Sequence, residues 1–139
     1  MKKYAIIPIF AFAACAGNSD QKNVGQDTGV SVKVVPPASG EYCFLHTEGA
    51  GNVDTTTVHL IIDGNKVTGD MNWIPKEKDR RKGTLTGTLA HNEISAVWSF
   101  MQEGVRDSLQ VSFQLSPPQL TQKQTDGQTI LYQATNCGQ

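Results

Sequence analysis

The chain has 139 residues, with 12 Lys and Arg against 13 Asp and Glu and a formal net charge of −1 at neutral pH. This balance argues against the basic face that nucleic-acid-binding domains carry, so no nucleic-acid partner is expected. The length allows one modest hydrophobic core and is too short for two.

The first fourteen residues are typical of a secretory signal peptide. The chain begins MKK and continues with an apolar run to Ala14. That run is shorter than the roughly 20 apolar residues of a membrane-spanning helix. It ends in the letters FAAC, which resemble a bacterial lipobox with its thiol at Cys15. We therefore predict that residues 1–14 are removed and that Cys15 is lipidated. An ordinary signal peptide followed by a buried cysteine is the alternative.

Residues 15–39 are polar and glycine-containing, and they include Pro36-Pro37 near their end. This composition predicts a flexible tether between the lipid and the folded domain, although VSVKVV at 30–35 could form a short strand. The domain is expected at residues 40–139. The lipid would anchor it to the membrane of the bacterial cell envelope, facing either the periplasm or the cell surface.

The domain shows a two-residue alternation of apolar and polar side chains and no convincing helical period. Asp63-Gly64-Asn65 separates two apolar runs, which is a strong hairpin signal. Similar turn signals recur about every ten residues. The predicted strands are 42–47, 55–62, 67–73, 84–89, 94–100, 109–115, 120–122 and 129–135. This pattern predicts an all-β fold, either an up-and-down antiparallel barrel of the lipocalin-like kind or a sandwich. Gly69 and Gly87 fall on apolar faces and suggest bends.

The run VTGDMNW, followed by EKDRRKGTLTG and a strand ending in EG, resembles a group of uncharacterised small lipoproteins of the Bacteroidetes. The resemblance covers about residues 40–115. It implies an envelope lipoprotein with a calycin-like barrel, and it implies no activity, since none is established for the group.

The chain contains three cysteines, and an odd thiol is awkward in an oxidising compartment. If Cys15 is acylated, Cys43 and Cys137 remain as a pair. They lie in the first strand and just after the last, which become neighbours only if the sheet closes. We therefore predict a disulfide across the closure of the barrel.

Two tryptophans suggest a ligand site. Trp73 and Trp98 fall on inferred apolar faces, with Tyr42 and Phe113 near them. These side chains either fill the barrel or line a cup for a small apolar molecule, as in lipocalin-like barrels.

The segment KEKDRRK at 76–82 is too charged for a core. Its cations are Lys76, Lys78, Arg80, Arg81 and Lys82. They form a solvated hairpin loop on the simplest interpretation, and a contact for an acidic surface or headgroups on the functional one.

The sequence offers no enzyme motif, so the chain is expected not to be an enzyme. His46, His59 and His91 lack metal-ligand spacing, although His46 and His59 could face each other across the first hairpin. We predict no metal site and no cofactor. The leading hypothesis is an anchored barrel that binds a small apolar ligand. The alternatives are a protein-interaction or inhibitor module acting through 76–82, and a structural envelope lipoprotein.

Overall fold

A computed structural model describes residues 39–138 of the chain. The predicted signal peptide, Cys15 and the tether up to residue 38 lie outside the described residues. The described part contains eight strands and no helix, and hence no helix long and apolar enough to cross a membrane. The strands are β1 (Ser39–Glu48), β2 (Asp54–Asp63), β3 (Lys66–Ile74), β4 (Arg81–Ala90), β5 (Glu93–Gln102), β6 (Val105–Ser116), β7 (Gln119–Lys123) and β8 (Thr129–Thr135).

The strands form a closed barrel in which each strand pairs antiparallel with the next and β8 returns to β1. This confirms the predicted up-and-down barrel and excludes the sandwich. The seams are unequal, because β1 aligns ten residues with β2 and only three with β8. The closing seam is therefore the one with the fewest ladder pairs to hold it.

Tight turns set the register of the hairpins. Gly64 takes a positive φ of 61° at the β2–β3 turn, as the first central residue of a type II′ turn requires. His91 and Asn92 both have positive φ at the β4–β5 turn, as do Glu103 and Gly104 at the β5–β6 turn. Two successive left-handed residues define a type I′ turn, whose twist matches that of the flanking strands.

The alternation predicted from the sequence places the apolar face of every strand inside the barrel. Sixteen apolar side chains form one buried cluster there. They are Phe44, Val58, Leu60, Ile62, Val67, Met71, Leu85, Ile94, Ala96, Trp98, Phe100, Val111, Phe113, Leu115, Leu120 and Tyr132. Gly69 and Gly87 also face inward, and a Cβ at either would overlap the backbone of the neighbouring strand. Both glycines thus permit the close strand approach that the sequence suggested.

Every strand except β8 begins at least one residue earlier than predicted, and β1, β4 and β6 begin three or four residues earlier, β1 at Ser39 rather than Tyr42. Two of these longer extensions have a local cause. The β4 strand starts at Arg81 rather than Thr84, because Arg81 pairs with Trp73 and its side chain enters the barrel end. The β6 strand starts at Val105 rather than Leu109, because the two-residue turn pairs Val105 directly with Gln102. In both cases a local pairing constraint extends a strand through polar sequence.

Candidate functional site

Two of the four aromatic residues predicted to contact a ligand belong to the packed core. Trp98 is 4% exposed, and its indole Nε1 donates a hydrogen bond of 2.8 Å to the carbonyl of Met71. Its ring lies 4.4 Å from that of Phe100, measured between centroids. Phe113 is fully buried and meets Tyr132 edge-on. Both side chains fill the interior, one of the two roles that the sequence allowed.

Trp73 lies at the barrel end near the β3–β4 connection and is partly buried. The Arg81 guanidinium lies 5.2 Å from the ring centroids of both Trp73 and Phe100. Its Nε also donates a 2.7 Å hydrogen bond to Gln102 Oε1. Arg81 therefore covers the aromatic surface at this end through cation–π contacts. The assignment of Arg81 to an exposed loop was wrong, because this side chain points inward.

Tyr42 lies toward the opposite end, on the first half of β1, where its ring stacks near Phe44. Burial raises the pKa of Tyr42, and its hydroxyl has no hydrogen-bond partner among the described residues. The four predicted ligand-binding residues are thus not gathered around one cavity. Four grooves on the described surface have volumes between 250 and 370 Å³, and none is lined by any of the four.

The charged connection between β3 and β4 is shorter than predicted and spans residues 75–80. Lys76, Lys78 and Arg80 are exposed there, whereas Lys82 is exposed on the outer face of β4. The backbone amide of Lys76 donates a 2.9 Å hydrogen bond to Asp54 Oδ1 at the start of β2. A groove of about 330 Å³ lies between this loop and the β1–β2 loop.

The β5–β6 turn approaches the same loop. A hydrogen bond with the Asp79 carboxyl, followed by the repulsion of its charge, raises the pKa of Glu103. The 75–80 loop is therefore joined by polar contacts to a neighbour on each side. The sequence predicted its charge and missed these contacts, which depend on the register of three hairpins.

The outer face of β1, β2 and β3 carries the densest group of chemically active side chains in residues 39–138. His59 Nε2 lies 2.8 Å from Glu41 Oε1 on β1, and His59 Nδ1 lies 3.1 Å from Asp70 Oδ2 on β3. Partial burial lowers the pKa of His59, but the two carboxylate hydrogen bonds outweigh this and raise it above its ordinary value. Carboxylates only accept hydrogen bonds, so both contacts are hydrogen bonds only when the ring is protonated.

Cys43 lies directly opposite His59 in the β1–β2 ladder. It forms a disulfide with Cys137, with the two Cα atoms 5.2 Å apart, which confirms the predicted pairing. The two Sγ atoms and one ring nitrogen of His59 all lie within 4.8 Å of one another. We call Cys43, His59 and Cys137 the Cys–His cluster.

The Cys–His cluster lines an open groove of about 370 Å³. The other lining residues are Glu41, Phe44, Thr57, Val58, Asp70, Asn72, Thr135, Asn136 and Gly138. Asn72 Nδ2 donates a 2.9 Å hydrogen bond to Asp70 Oδ1, which orients the carboxylate that contacts His59. The groove thus brings a disulfide, an imidazole and two carboxylates together.

Sequence reasoning missed the surroundings of His59. His46 and His59 do not face each other, because His46 pairs with Thr56 and projects inward beside Tyr132, whereas His59 projects outward. The predicted strand limits already contained the information needed to place a cysteine beside His59. Pairing Thr47 with Thr55 across the first loop places Cys43 opposite His59.

Comparison of the chain with protein-family models, with curated proteins and with solved structures gave no match. The barrel is therefore established by the structure alone, and the resemblance to small Bacteroidetes lipoproteins stays a prediction.

Proposed function

We propose that this chain is a lipid-anchored protein of the bacterial cell envelope whose barrel is a non-enzymatic binding module for a partner protein. The observation that carries the choice of partner is the filled interior. Sixteen apolar side chains pack there in one cluster, and Arg81 covers the aromatic side chains at one end. Small-molecule sites are concave and bury most of the ligand. A lumen packed in this way favours recognition through the outer surface.

The surface that best fits this role is the barrel end around the 75–80 loop. Lys76, Lys78 and Arg80 are exposed there beside a groove of about 330 Å³. The Lys76 amide is fixed to Asp54, so part of the loop is held in place before any partner arrives. Less conformational freedom is then lost on binding. Glu77 and Asp79 lie among the three cations, so the loop carries a net charge of +1. This excess of positive charge favours a partner with an acidic surface and would accelerate association at low salt.

The partner surface is tested by charge reversal of matched triplets in the full chain. One variant carries Lys76→Glu, Lys78→Glu and Arg80→Glu. The control carries Lys66→Glu, Arg106→Glu and Lys123→Glu, which makes the same charge change on exposed residues of β3, β6 and β7 outside the loop. Lys123→Glu also removes the exposed ion pair with Glu93, which is worth little at a surface. Cross-linking in the envelope of the host is expected to trap a defined protein that the first variant loses by at least tenfold and the control retains.

The binding module is contradicted by two results. Equal loss of the cross-linked protein in both triplet variants would show a nonspecific response to charge. Native mass spectrometry that reveals a co-purified small apolar molecule would instead restore the ligand-cup hypothesis.

The anchor is tested separately from the partner. Cys15 is expected to become the N-terminal residue and to carry several acyl chains, which together hold a protein on a membrane where one chain does not. Cys15→Ser should therefore move the protein to the soluble fraction. A Ser variant that stays with the membrane would contradict the lipobox prediction and leave the barrel's binding role open.

A further inference from the structure

The geometry points to a metal site for a thiophilic divalent cation such as Zn²⁺, formed by the Cys–His cluster when its disulfide is reduced. The two Sγ atoms and the His59 ring nitrogen already lie within 4.8 Å of one another. In a tetrahedral Zn²⁺ site, bonds of about 2.3 Å to sulfur and 2.0–2.1 Å to nitrogen place neighbouring ligand atoms about 3.6–3.8 Å apart. Once the S–S bond is broken, modest side-chain rotation reaches that spacing.

Two of the three ligands have fixed positions. Cys43 on β1 lies directly opposite His59 on β2. These two strands align ten residues, whereas β1 and β8 align only three, so the β1–β2 pairing is the firmer of the two. The Cβ atoms of the two residues are thus held about 5 Å apart by the backbone of the sheet. Cys137 lies two residues beyond the end of β8 and is exposed, so it can adjust without disturbing the ladder. Cys43 and His59 would therefore hold two ligand atoms in place, while Cys137 would move enough to let a metal ion enter between the two sulfurs.

The carboxylates around His59 complete the site. Each ring nitrogen faces one, with Glu41 at Nε2 and Asp70 at Nδ1. When one nitrogen binds the metal, the other keeps its carboxylate, which is the outer-shell partner that metal-bound histidines usually have. The carboxylate that is released lies beside the ion and can supply the fourth ligand. Because two thiolates and this carboxylate are all negatively charged, the site would attract a cation.

The groove gives the ion access to these ligands. Its volume is about 370 Å³ and it opens to solvent along the outer face of the barrel. Thiolates select soft or borderline cations such as Zn²⁺ over Mg²⁺ and Ca²⁺, which prefer oxygen ligands. The class of metal thus follows from the two sulfur ligands.

Reduction and metal binding balance as two separate steps. Breaking the S–S bond takes two electrons and two protons, supplied by a dithiol reductant that is itself oxidised to a disulfide. Zn²⁺ then replaces the two thiol protons, which are released to solvent. The disulfide and the metal would each link the segment after β8 to β1, so the metal would replace the disulfide as the cross-link. This inference is independent of the partner protein proposed above.

The test uses the full chain carrying Cys15→Ser, so that the third thiol cannot contribute. The disulfide form and a form reduced by a thiol-free phosphine are each titrated with Co²⁺, which gives a thiolate charge-transfer band. The reduced form is expected to bind one Co²⁺ per chain with this band, and the disulfide form to show none. Zn²⁺ should displace the Co²⁺.

Matched variants separate the cluster from nonspecific binding. His59→Asn should weaken Co²⁺ binding at least tenfold. The control His91→Asn makes the same replacement in a turn where the residue has a positive φ that Asn tolerates, and it should bind normally. Asp70→Asn and Glu41→Gln should each weaken binding, and outer-shell losses are typically about 10–100-fold.

Three outcomes would overturn the site. They are the absence of Co²⁺ binding by the reduced chain, equal binding by the disulfide form, and equal affinities of His59→Asn and His91→Asn. If reduction unfolds the barrel, circular dichroism can still test the site by measuring whether Zn²⁺ refolds the reduced chain. Zn²⁺ should then restore the β-sheet spectrum of the reduced parent and fail to restore that of His59→Asn. A reduced chain that Zn²⁺ does not refold would count against the proposal.

Discussion

The inner and outer faces of β1, β2 and β3 are built from alternate residues of the same strands, yet the groups that dominate them differ in chemistry. Phe44, Val58 and Met71 face inward and are at most 5% exposed. His59 follows Val58 by one residue and contacts two carboxylates on the outside. The inner face therefore accounts for stability, and the outer face holds the groups that can bind or react. Substitutions on the two faces should separate these roles.

The largest expected effect is on the inner face. Phe113→Ala removes a fully buried ring from the cluster and should lower the free energy of unfolding by about 3–5 kcal/mol. Leu131→Ala, on the outside of β8 and 44% exposed, is the matched control and should cost less than about 1 kcal/mol. Urea unfolding of both variants measures the difference. Similar midpoints would show that the interior is not the main source of stability.

The next effect concerns the closing seam, where β1 and β8 share three aligned pairs and the Cys43–Cys137 disulfide. Replacing both cysteines by Ala should cost about 2–4 kcal/mol, because the bond constrains a long loop of the unfolded chain. The fold should persist, since neither cysteine belongs to the buried cluster. Urea unfolding of the parent and of the double variant measures this loss, with a chelator present so that no bound metal contributes. A variant as stable as the parent would show that the bond is incidental to closure.

The sequence predicted the inner face well and the outer face poorly, for a physical reason. Burial imposes a two-residue alternation that can be read within each strand, so Val58, Trp98 and Phe113 were assigned correctly. Outer contacts depend on which residues of different strands lie opposite each other. The Cys43–His59 pair needed the register of one hairpin, and the contact of Arg81 with Trp73 and Phe100 needed the register of two.

The disulfide was predictable because its chemistry did not depend on register. An odd number of cysteines and the positions of Cys43 and Cys137 at the two ends of the domain were sufficient, given a closed sheet. The carboxylates at His59 gave no such signal. Glu41, His59 and Asp70 lie on three strands and have no common spacing in the sequence.

A smaller effect should appear at alkaline pH. Burial, followed by the charge of Glu48, raises the pKa of Tyr132, whose hydroxyl donates a 2.6 Å hydrogen bond to Gln122 Oε1. A raised folded-state pKa gives stability that is fully present below the ordinary value of about 10 and is lost as the pH rises toward the folded value. The barrel should therefore lose about 1.4 kcal/mol per pH unit above 10 from this group.

Tyr132→Phe is the control for this pH dependence. The variant loses the hydroxyl and its hydrogen bond at every pH, but it no longer has a phenol to ionise at this position. Its stability should therefore fall less steeply above pH 10 than that of the parent, as measured by urea midpoints at a series of pH values. Tyr42 is present in both proteins, so the difference isolates Tyr132. Parallel pH profiles would contradict the role assigned to burial.

The smallest effect is expected from an ion pair on the outer face, where Glu93 Oε1 lies 3.1 Å from Lys123 Nζ. The hydrogen bond from Lys123 and its positive charge, followed by a hydrogen bond from Ser112, lower the pKa of Glu93. A lowered folded-state pKa gives stability that is present above the ordinary value and is lost as the pH falls through the folded value. Glu93→Gln should therefore flatten the acid side of the stability profile slightly, and added salt should reduce the difference, because exposed pairs are screened. Glu77→Gln removes the same charge from the 75–80 loop and serves as the control. If both variants flatten the profile equally, the effect belongs to net charge and not to the Glu93–Lys123 pair.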